Sequence, residues 1–245
     1  MRVELHPCYI LHQRPYRETS LLIDVLSRDH GRVSLVAKGA KRQRSPQRFV
    51  LQPMRSLNLA WTMRSELGTL THAEAAGVAP ELSADGLMSA FYVNELLMRL
   101  LHRHEPHPEL FSAYAAVLAA LSQTEGAESA LRVFEKRLLV GLGYGLVLDH
   151  DVETGAALAF DGDYYFDVEK GPTKTPRAAA QTIRISGVTL DGLIREQLDG
   201  ELQLGEAKRL MRTVLGLHLG AKPLSSRELY RKFLSERQRE HIRSE

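Results

Sequence analysis

The sequence is poor in residues that could cross-link it, and it has no long apolar run. Its 245 residues include a single cysteine, Cys8, so we expect neither a disulfide framework nor a zinc site built from paired cysteines. No segment reaches the roughly 20 apolar residues that cross a bilayer, and the first residues lack the apolar stretch of a signal peptide. We therefore expect a cytoplasmic protein that does not enter a membrane.

Positive and negative residues are also nearly balanced in number. Lysine and arginine number 32 against 30 acids, which gives a formal net charge of only +2. The hydrophobic fraction of 44% and the charged fraction of 25% are ordinary for a globular protein. The overall charge therefore indicates no partner, and the local distribution of charge has to be considered instead. A chain of this length suits one large domain or two smaller ones.

Residues 1 to about 79 have the composition of short strands. The candidates are Tyr9 to His12, Ser20 to Leu26, Arg32 to Ala37, Phe49 to Leu51, Ser56 to Trp61 and Gly68 to His72. Gly31 and the polar residues before it are typical of a turn between two of these strands. So many short strands in so few residues predict a small closed barrel or a sandwich, of which the oligonucleotide-binding (OB) barrel is one kind. Periodicity alone does not choose between them.

Helical spacing of apolar residues begins after Pro80. We predict helices around Leu87 to Leu101, Leu110 to Leu121, Glu128 to Leu142, Thr189 to Leu198, Gly205 to Leu219 and from Ser225 onward. Ser225 and Glu228 have the spacing of a capping box at the start of the last helix. Between the helical segments, residues 149–169 hold seven acids and no lysine or arginine. This composition predicts an irregular or small β insert at about 149–185.

The strongest local signal is a basic segment that follows the third predicted strand. Residues 28–48 contain seven cations against one acid, with the densest run between Lys38 and Arg44. Small residues such as Gly39 and Ser45 let backbone N–H groups approach an anion. On a barrel rim, such a loop would track the phosphates of a nucleic acid. The alternative is a solvated basic loop that binds nothing.

Four aromatic residues near this segment are candidates for base stacking: Tyr9, Tyr16, Phe49 and Trp61. Aromatic residues are more often part of a core. We expect Trp61 to be at least half buried, and Tyr16, which lies between Pro15 and Arg17, to be the better candidate for exposure.

Other features do not indicate catalysis or a metal. His102, His104 and His107 lie in a segment broken by prolines, and no acid or cysteine completes a metal-binding set at a familiar spacing. A second group of cations near the C-terminus alternates with acids, as in a solvated helix. No nucleophile with a matching base is recognisable, so we expect no enzymatic activity, no cofactor and no metal.

Several blocks, in order, resemble the RecO family of bacterial DNA repair proteins. They are Arg14 to Leu21, Gly31 to Val33, Val36 to Ala40, Ala130 to Glu135, Leu142 to Gly145 and Gly220 to Leu229. The resemblance covers nearly the whole chain. It implies an α+β protein with an N-terminal OB-fold barrel at 1–79 and a helical domain at 80–245 that contains the insert. Many members carry a four-cysteine zinc module at the place of this insert, whereas the insert here is free of cysteine.

The resemblance also implies a function. It is that of a recombination mediator that binds single- and double-stranded DNA, anneals single strands, engages the C-terminal tail of single-strand-binding protein (SSB), and with RecR promotes loading of RecA. Such a protein would be associated with the nucleoid. The DNA-binding residues would be Arg14, Arg32, Lys38, Lys41, Arg42, Arg44 and Arg48. The SSB tail would bind at Arg132, with Leu131 and Leu138 nearby.

Three other functions are compatible with the residues alone. An RNA-binding OB-fold module would use the same basic loop, and competition between DNA and RNA oligomers would distinguish it. A nuclease or ligase accessory would need metal-binding acids near the basic loop, and none are recognisable there. An interaction protein with no nucleic-acid partner is the third alternative.

Overall fold

The computed structural model describes residues 1–123, 125–176 and 182–244, and the side chains as far as residue 236. The chain forms two compact units, one made of Met1–Ser122 and Pro223–Glu245, the other of Gln123–Lys222. Among the described helices, none is both long enough and apolar enough to pass through a bilayer.

The first unit begins with five strands that close into a barrel. They are β1 (Arg2–Tyr16), β2 (Ser20–Ser27), β3 (Gly31–Ala37), β4 (Ser56–Met63) and β5 (Leu67–Ala75). The order around the barrel is β1-β2-β3-β5-β4, with β3 and β5 parallel and the other pairs antiparallel. This five-stranded Greek-key arrangement is that of an OB-fold barrel and confirms the predicted fold.

Alternation along the strands explains why the barrel closes around one core. On β2 and β3, the inward residues Ile23, Val25, Val33 and Leu35 are fully buried. Trp61 on β4 is also fully buried in this core, as its sequence context predicted. Strand β1 pairs with both β2 and β4, and its register shifts twice, so that one long strand can bend around the barrel.

One predicted strand is wrong. Residues Phe49 to Leu51 belong to a short helix, α1 (Gln47–Val50), and to its C-cap. Pro46 has φ −63° and starts this turn, because its ring fixes a helix-compatible angle. Leu51 is buried in the barrel core while Phe49 is exposed to solvent. The apolar residues of this run therefore lie on opposite sides of a helical turn.

Besides α1, the unit that contains the barrel includes the helices α2 (Ala84–Leu100), α3 (Pro108–Leu121) and α7 (Ser225–Ser244). Asn94 of α2 joins α2 and α3 to β1, since its side chain donates to the Leu11 carbonyl at 2.9 Å and accepts from the Tyr114 hydroxyl at 2.6 Å. Tyr9 of β1 packs edge-on against Tyr114, with ring centres 4.9 Å apart. These buried contacts fix the first helices on the barrel.

Helix α7 starts at Ser225 as predicted, but its first turn is capped from another helix. The carboxylate of Glu95 on α2 accepts hydrogen bonds from the backbone N–H groups of Ser225 and Ser226, at 2.9 and 2.8 Å, and from the Ser226 hydroxyl. The cap that the spacing of Ser225 and Glu228 predicted is thus supplied by Glu95. The guanidinium of Arg227 lies 5.8 Å from the ring centre of Tyr92 and adds a second contact between the helices.

The second unit combines three helices and three strands of the predicted helical region. Its elements are α4 (Ala127–Gly141), β6 (Asp163–Asp167), β7 (Gly171–Thr173), β8 (Thr182–Ser186), α5 (Gly187–Arg195) and α6 (Gly200–Leu219). The strands form a small sheet in the order β7-β6-β8 at the place of the predicted insert. Residues 177–181 of that insert lie outside the described residues.

In the cysteine-free insert, one buried carboxylate accepts hydrogen bonds from several backbone N–H groups. The side chain of Asp151, 4% exposed, accepts hydrogen bonds from the backbone N–H groups of Glu153, Thr154 and Lys174. Burial opposes ionisation of this carboxyl group, but the hydrogen bonds outweigh it and hold its pKa below the ordinary value. The insert therefore closes its loops through charge-assisted hydrogen bonds.

Candidate nucleic-acid interface

Strand pairing brings two loops together at one end of the barrel. Tyr16 pairs with Ser20 across the β1–β2 turn, and Leu21 pairs with Ala37 at the end of β3. The loop after β3 therefore starts beside the β1–β2 turn. A hydrogen bond of 2.9 Å from the Lys41 N–H to the Thr19 carbonyl joins the two loops directly.

Cations from the end of β1, from both loops and from α1 form what we call the basic edge. Its members are Arg14, Arg17, Lys38, Lys41, Arg42, Arg44 and Arg48. All of them are exposed, and within the described part of the chain none forms an ion pair with a carboxylate. Glu18, the one acid of the β1–β2 turn, is likewise exposed and forms no described ion pair. The edge therefore presents positive charge that no described acid neutralises.

The loop that carries most of these cations is folded back on itself. Two consecutive turns begin at Gly39 and at Arg42, since the Arg42 N–H donates to the Gly39 carbonyl and the Ser45 N–H to the Arg42 carbonyl. The Arg42 side chain lies over Gly39, with Nε 3.7 Å from where a Cβ atom of that glycine would stand. Ala40 in the same loop is fully buried in the barrel core. The loop is thereby anchored, and its cations project from a fixed base.

The face that OB folds commonly offer to oligonucleotides, the outside of strands 2 and 3, is covered in this chain. Five of its outward residues, Leu22, Asp24, Leu26, Ser34 and Val36, are at most 9% exposed, and a sixth, Arg32, is half-buried. Asp24 accepts a buried hydrogen bond of 2.5 Å from the Ser34 hydroxyl. A nucleic acid therefore meets little open surface on the described part of this face, whereas the cations of the basic edge are exposed.

Arg32, which the sequence grouped with the other cations, lies elsewhere. It stands at the start of β3, while Lys38 follows the end of that strand, about 20 Å away at roughly 3.3 Å per residue. Its Nη1 donates at 2.8 Å to the carbonyl of Met98 in the last turn of α2. Desolvation lowers the pKa of this guanidinium. Arg32 thus satisfies a carbonyl left open at a helix end, and the structure does not place it on the basic edge.

Gly31 explains how the connection between α2 and α3 can come so close to this end of β3. It has φ +65°, and a Cβ atom there would lie 2.1 Å from the Glu105 carbonyl oxygen. The segment that includes His104 therefore runs directly over the turn, and the His104 N–H donates to the Arg32 carbonyl at 3.0 Å. The predicted histidine segment is a packing element. Within the described residues, no three side chains suited to metal binding lie together.

The aromatic candidates fall into three groups. Tyr9 and Trp61 are buried in packing contacts and cannot stack on a base. Tyr16 is half-buried, with the Arg17 guanidinium 5.3 Å from its ring centre. Phe49 is 67% exposed beside Arg48, and it is therefore the open aromatic residue of the four. The sequence favoured Tyr16 for exposure because the helical turn at Phe49 was not recognised.

Comparison with known proteins matches both halves of the chain to one family. The model for the recombination protein O N-terminal region matches residues 1–78, and the model for its C-terminal region matches residues 81–228. The DNA repair protein RecO of Nitrosococcus oceani is 48% identical over 229 residues, which span 94% of this chain and 93% of that protein. The RecO protein of Methylococcus capsulatus is 44% identical and covers 94% of each chain.

This chain belongs to the RecO family. A further relative, the DNA repair protein RecO of Paraburkholderia xenovorans, is 43% identical over 93% of this chain and 76% of its own. The resemblance first seen in short sequence blocks is therefore confirmed over nearly the whole length.

The residues that the RecO family resemblance assigned to the SSB tail lie on α4. Arg132 is only 6% exposed, and its Nη2 is 3.1 Å from the Glu135 carboxylate one helical turn later. Leu138 is fully buried and Leu131 half-buried. The Arg132 Nε is buried without a hydrogen-bond partner among the described atoms, so one donor of this guanidinium is unused. The three residues share a helix, but Arg132 is less accessible than the sequence suggested.

Proposed function

We propose that this RecO family member is a recombination mediator of DNA repair that binds single-stranded DNA along the basic edge and anneals complementary strands without acting as an enzyme. The observation that carries the proposal is the set of exposed cations, unpaired with any described acid, at one end of an OB barrel. Family membership supports the role in repair, since its relatives are named DNA repair proteins.

The basic edge suits a sugar–phosphate chain because its cations need no acid to be displaced first. Each phosphate contact releases condensed counterions, which favours binding at low salt and weakens it at high salt. Contacts of this kind hold the backbone and leave base edges free. Two strands held in this way can pair with each other, and charge neutralisation reduces their mutual repulsion. No nucleotide hydrolysis is required for such a process.

Annealing tests this function. We expect the wild-type protein to accelerate pairing of complementary oligonucleotides, both bare and coated with SSB, in the absence of ATP. The variant with Lys41, Arg42 and Arg44 each changed to Glu should lose most of this acceleration. A matched control changes three exposed cations of the other unit, Lys170, Lys174 and Arg212, to Glu, which alters the net charge equally. Equal loss in both variants would refute the assignment to the basic edge.

Competition between DNA and RNA oligomers distinguishes the two possible nucleic-acid partners. The basic edge would hold RNA phosphates as well, so an RNA-binding module is the alternative function. We expect DNA oligomers to compete better than RNA oligomers of the same sequence for the bound strand. Stronger competition by RNA would favour the alternative. Cleavage of either oligomer with divalent metal present would contradict a non-enzymatic role.

The partners implied by the RecO family are SSB, RecR and RecA, acting at the nucleoid. An acidic SSB tail that ends in an apolar residue and a carboxylate would suit an arginine beside a leucine-lined pocket. Arg132, Leu131 and Leu138 are the proposed site. Because Arg132 is paired with Glu135 and nearly buried, binding the tail would require the guanidinium to turn from that partner or to use its free Nε donor.

A paired substitution tests the SSB site without leaving a buried charge alone. Arg132→Glu would place two carboxylates together, so its failure to bind could reflect unfolding. The double variant Arg132→Met/Glu135→Gln removes both charges and keeps the volume. We expect it to lose affinity for an SSB-tail peptide and to retain DNA binding, whereas Arg137→Met, an exposed control on the same helix, should keep both. Unchanged tail affinity in the folded double variant would place the pocket elsewhere.

A further inference from the structure

Phe49 is a large apolar side chain held in solvent among cations. It is 67% exposed, although its neighbour Leu51 is 2% exposed and packs in the barrel core. It directly follows Arg48, a member of the basic edge. No aromatic ring of the described residues packs against it. Single exposed apolar residues are common on protein surfaces, but this one stands where charged ligands would bind.

The backbone on both sides of the ring is fixed. The Phe49 N–H donates to the Pro46 carbonyl at 3.2 Å. The Phe49 carbonyl accepts from Arg55 Nη1 at 3.3 Å, and Arg55 Nε donates to the Gly77 carbonyl at 3.3 Å. A ring on such a base has only two side-chain torsions left to order on binding, which lowers the entropic cost of a contact.

Resting on the proposed function, we propose that Phe49 is a stacking platform for an unpaired base and that it makes the basic edge prefer single-stranded to duplex DNA. The cations alone do not provide this preference, since duplex DNA carries the denser charge. In a duplex, the base faces are stacked on their neighbours, whereas in a single strand each base offers a free π face to an aromatic ring. A nucleic acid joins flat bases to an anionic backbone, so the ring of Phe49 can contact a base while the neighbouring cations contact phosphates.

Binding to matched oligomers tests the role of the ring. We compare three ligands of equal length: an oligothymidylate, the same backbone with abasic sites, and a duplex. Phe49→Ala should bind oligothymidylate roughly 5- to 150-fold more weakly, the effect of losing one stacked base. Its affinities for the abasic oligomer and the duplex should match those of the wild type, and Phe49→Trp should restore binding to the oligothymidylate.

Salt dependence separates stacking from charge. Phe49→Ala should lower the affinity at every salt concentration and leave the slope of log K against log salt unchanged, because no phosphate contact is lost. Phe160→Ala is the matched control, since Phe160 is 56% exposed on the other unit and is truncated in the same way. It should change none of these values.

Several outcomes would overturn the proposal. Equal weakening on the abasic oligomer and on oligothymidylate would show that the ring does not contact a base. Unchanged DNA binding together with a change in sedimentation would show that a second copy of the chain occupies Phe49. If the triple Glu variant of the basic edge loses binding and Phe49→Ala does not, the proposed function stands and the stacking role fails. If the triple variant also binds normally, the edge itself is wrongly assigned.

Discussion

Two cations at opposite ends of β3 show how the surroundings decide what a residue does. Arg32 is half-buried and donates to a helix carbonyl, and desolvation lowers its pKa. Lys38 is exposed with no described acidic partner. In the sequence both are basic residues of one segment, and nothing in their spacing tells them apart. The difference arises because the chain returns as α2 over only one end of the strand.

Arg32→Ala should therefore affect folding and not DNA binding. Removing a partly buried, charged hydrogen-bond donor is expected to lower the free energy of unfolding by about 2 kcal/mol. Urea unfolding can be followed by the fluorescence of Trp61, the single tryptophan, which is fully buried in the barrel. Arg64→Ala, at an exposed position of the β4–β5 loop, serves as the control and should change stability by less than about 0.5 kcal/mol. A normal unfolding curve for Arg32→Ala together with weaker DNA binding would show that Arg32 contacts DNA.

At the scale of elements, the sequence predicted most helices and strands but not their terminal contacts. Five of the six predicted strands lie in the barrel, because they are short runs of mostly apolar and β-branched residues bounded by turn residues. The sixth became α1, since Pro46 starts a helical turn in a run too short to show its period. The start of α7 was predicted correctly, yet its cap comes from Glu95, 130 positions before Ser225. A contact between residues so distant in the chain leaves no local signal.

Glu95 makes the attachment of α7 sensitive to acid. Partial burial opposes its ionisation, but hydrogen bonds from Ser226 and Ser225 outweigh this effect and hold its pKa below the ordinary 4.5. The stabilisation is therefore complete above about pH 4.5 and is lost as the pH falls through the lower folded-state pKa.

Glu95→Gln tests this dependence. At pH 7 we expect the variant to be less stable by about 1 kcal/mol, the usual value of a helix cap. The difference should shrink towards zero only as the pH falls through the lowered folded-state pKa of Glu95, where the wild-type carboxyl group becomes protonated and resembles the amide. Urea unfolding at several pH values measures it, and Glu81→Gln, an exposed position before α2, is the control. A difference that is independent of pH would contradict the role of the charged cap.

For the whole molecule, the net charge of +2 hides a strongly uneven distribution. The basic edge gathers cations from three separate segments: the end of β1 and its turn, the loop after β3, and α1. The sequence predicted the loop because its cations are contiguous. It did not include Arg17, which joins the edge only because the β1–β2 turn meets that loop. Family resemblance predicted the barrel, but the burial of the outer face of β2 and β3 required the three-dimensional structure.

We propose that the cations of the basic edge bind the phosphates of a single strand. The slope of log K against log salt for oligothymidylate measures the number of such contacts directly. Changing Lys41, Arg42 and Arg44 to Ala should reduce the magnitude of this slope by about 2, at roughly 0.7 per contact on a single strand. The same slope in wild type and variant, with Trp61 fluorescence showing both folded, would contradict the claim.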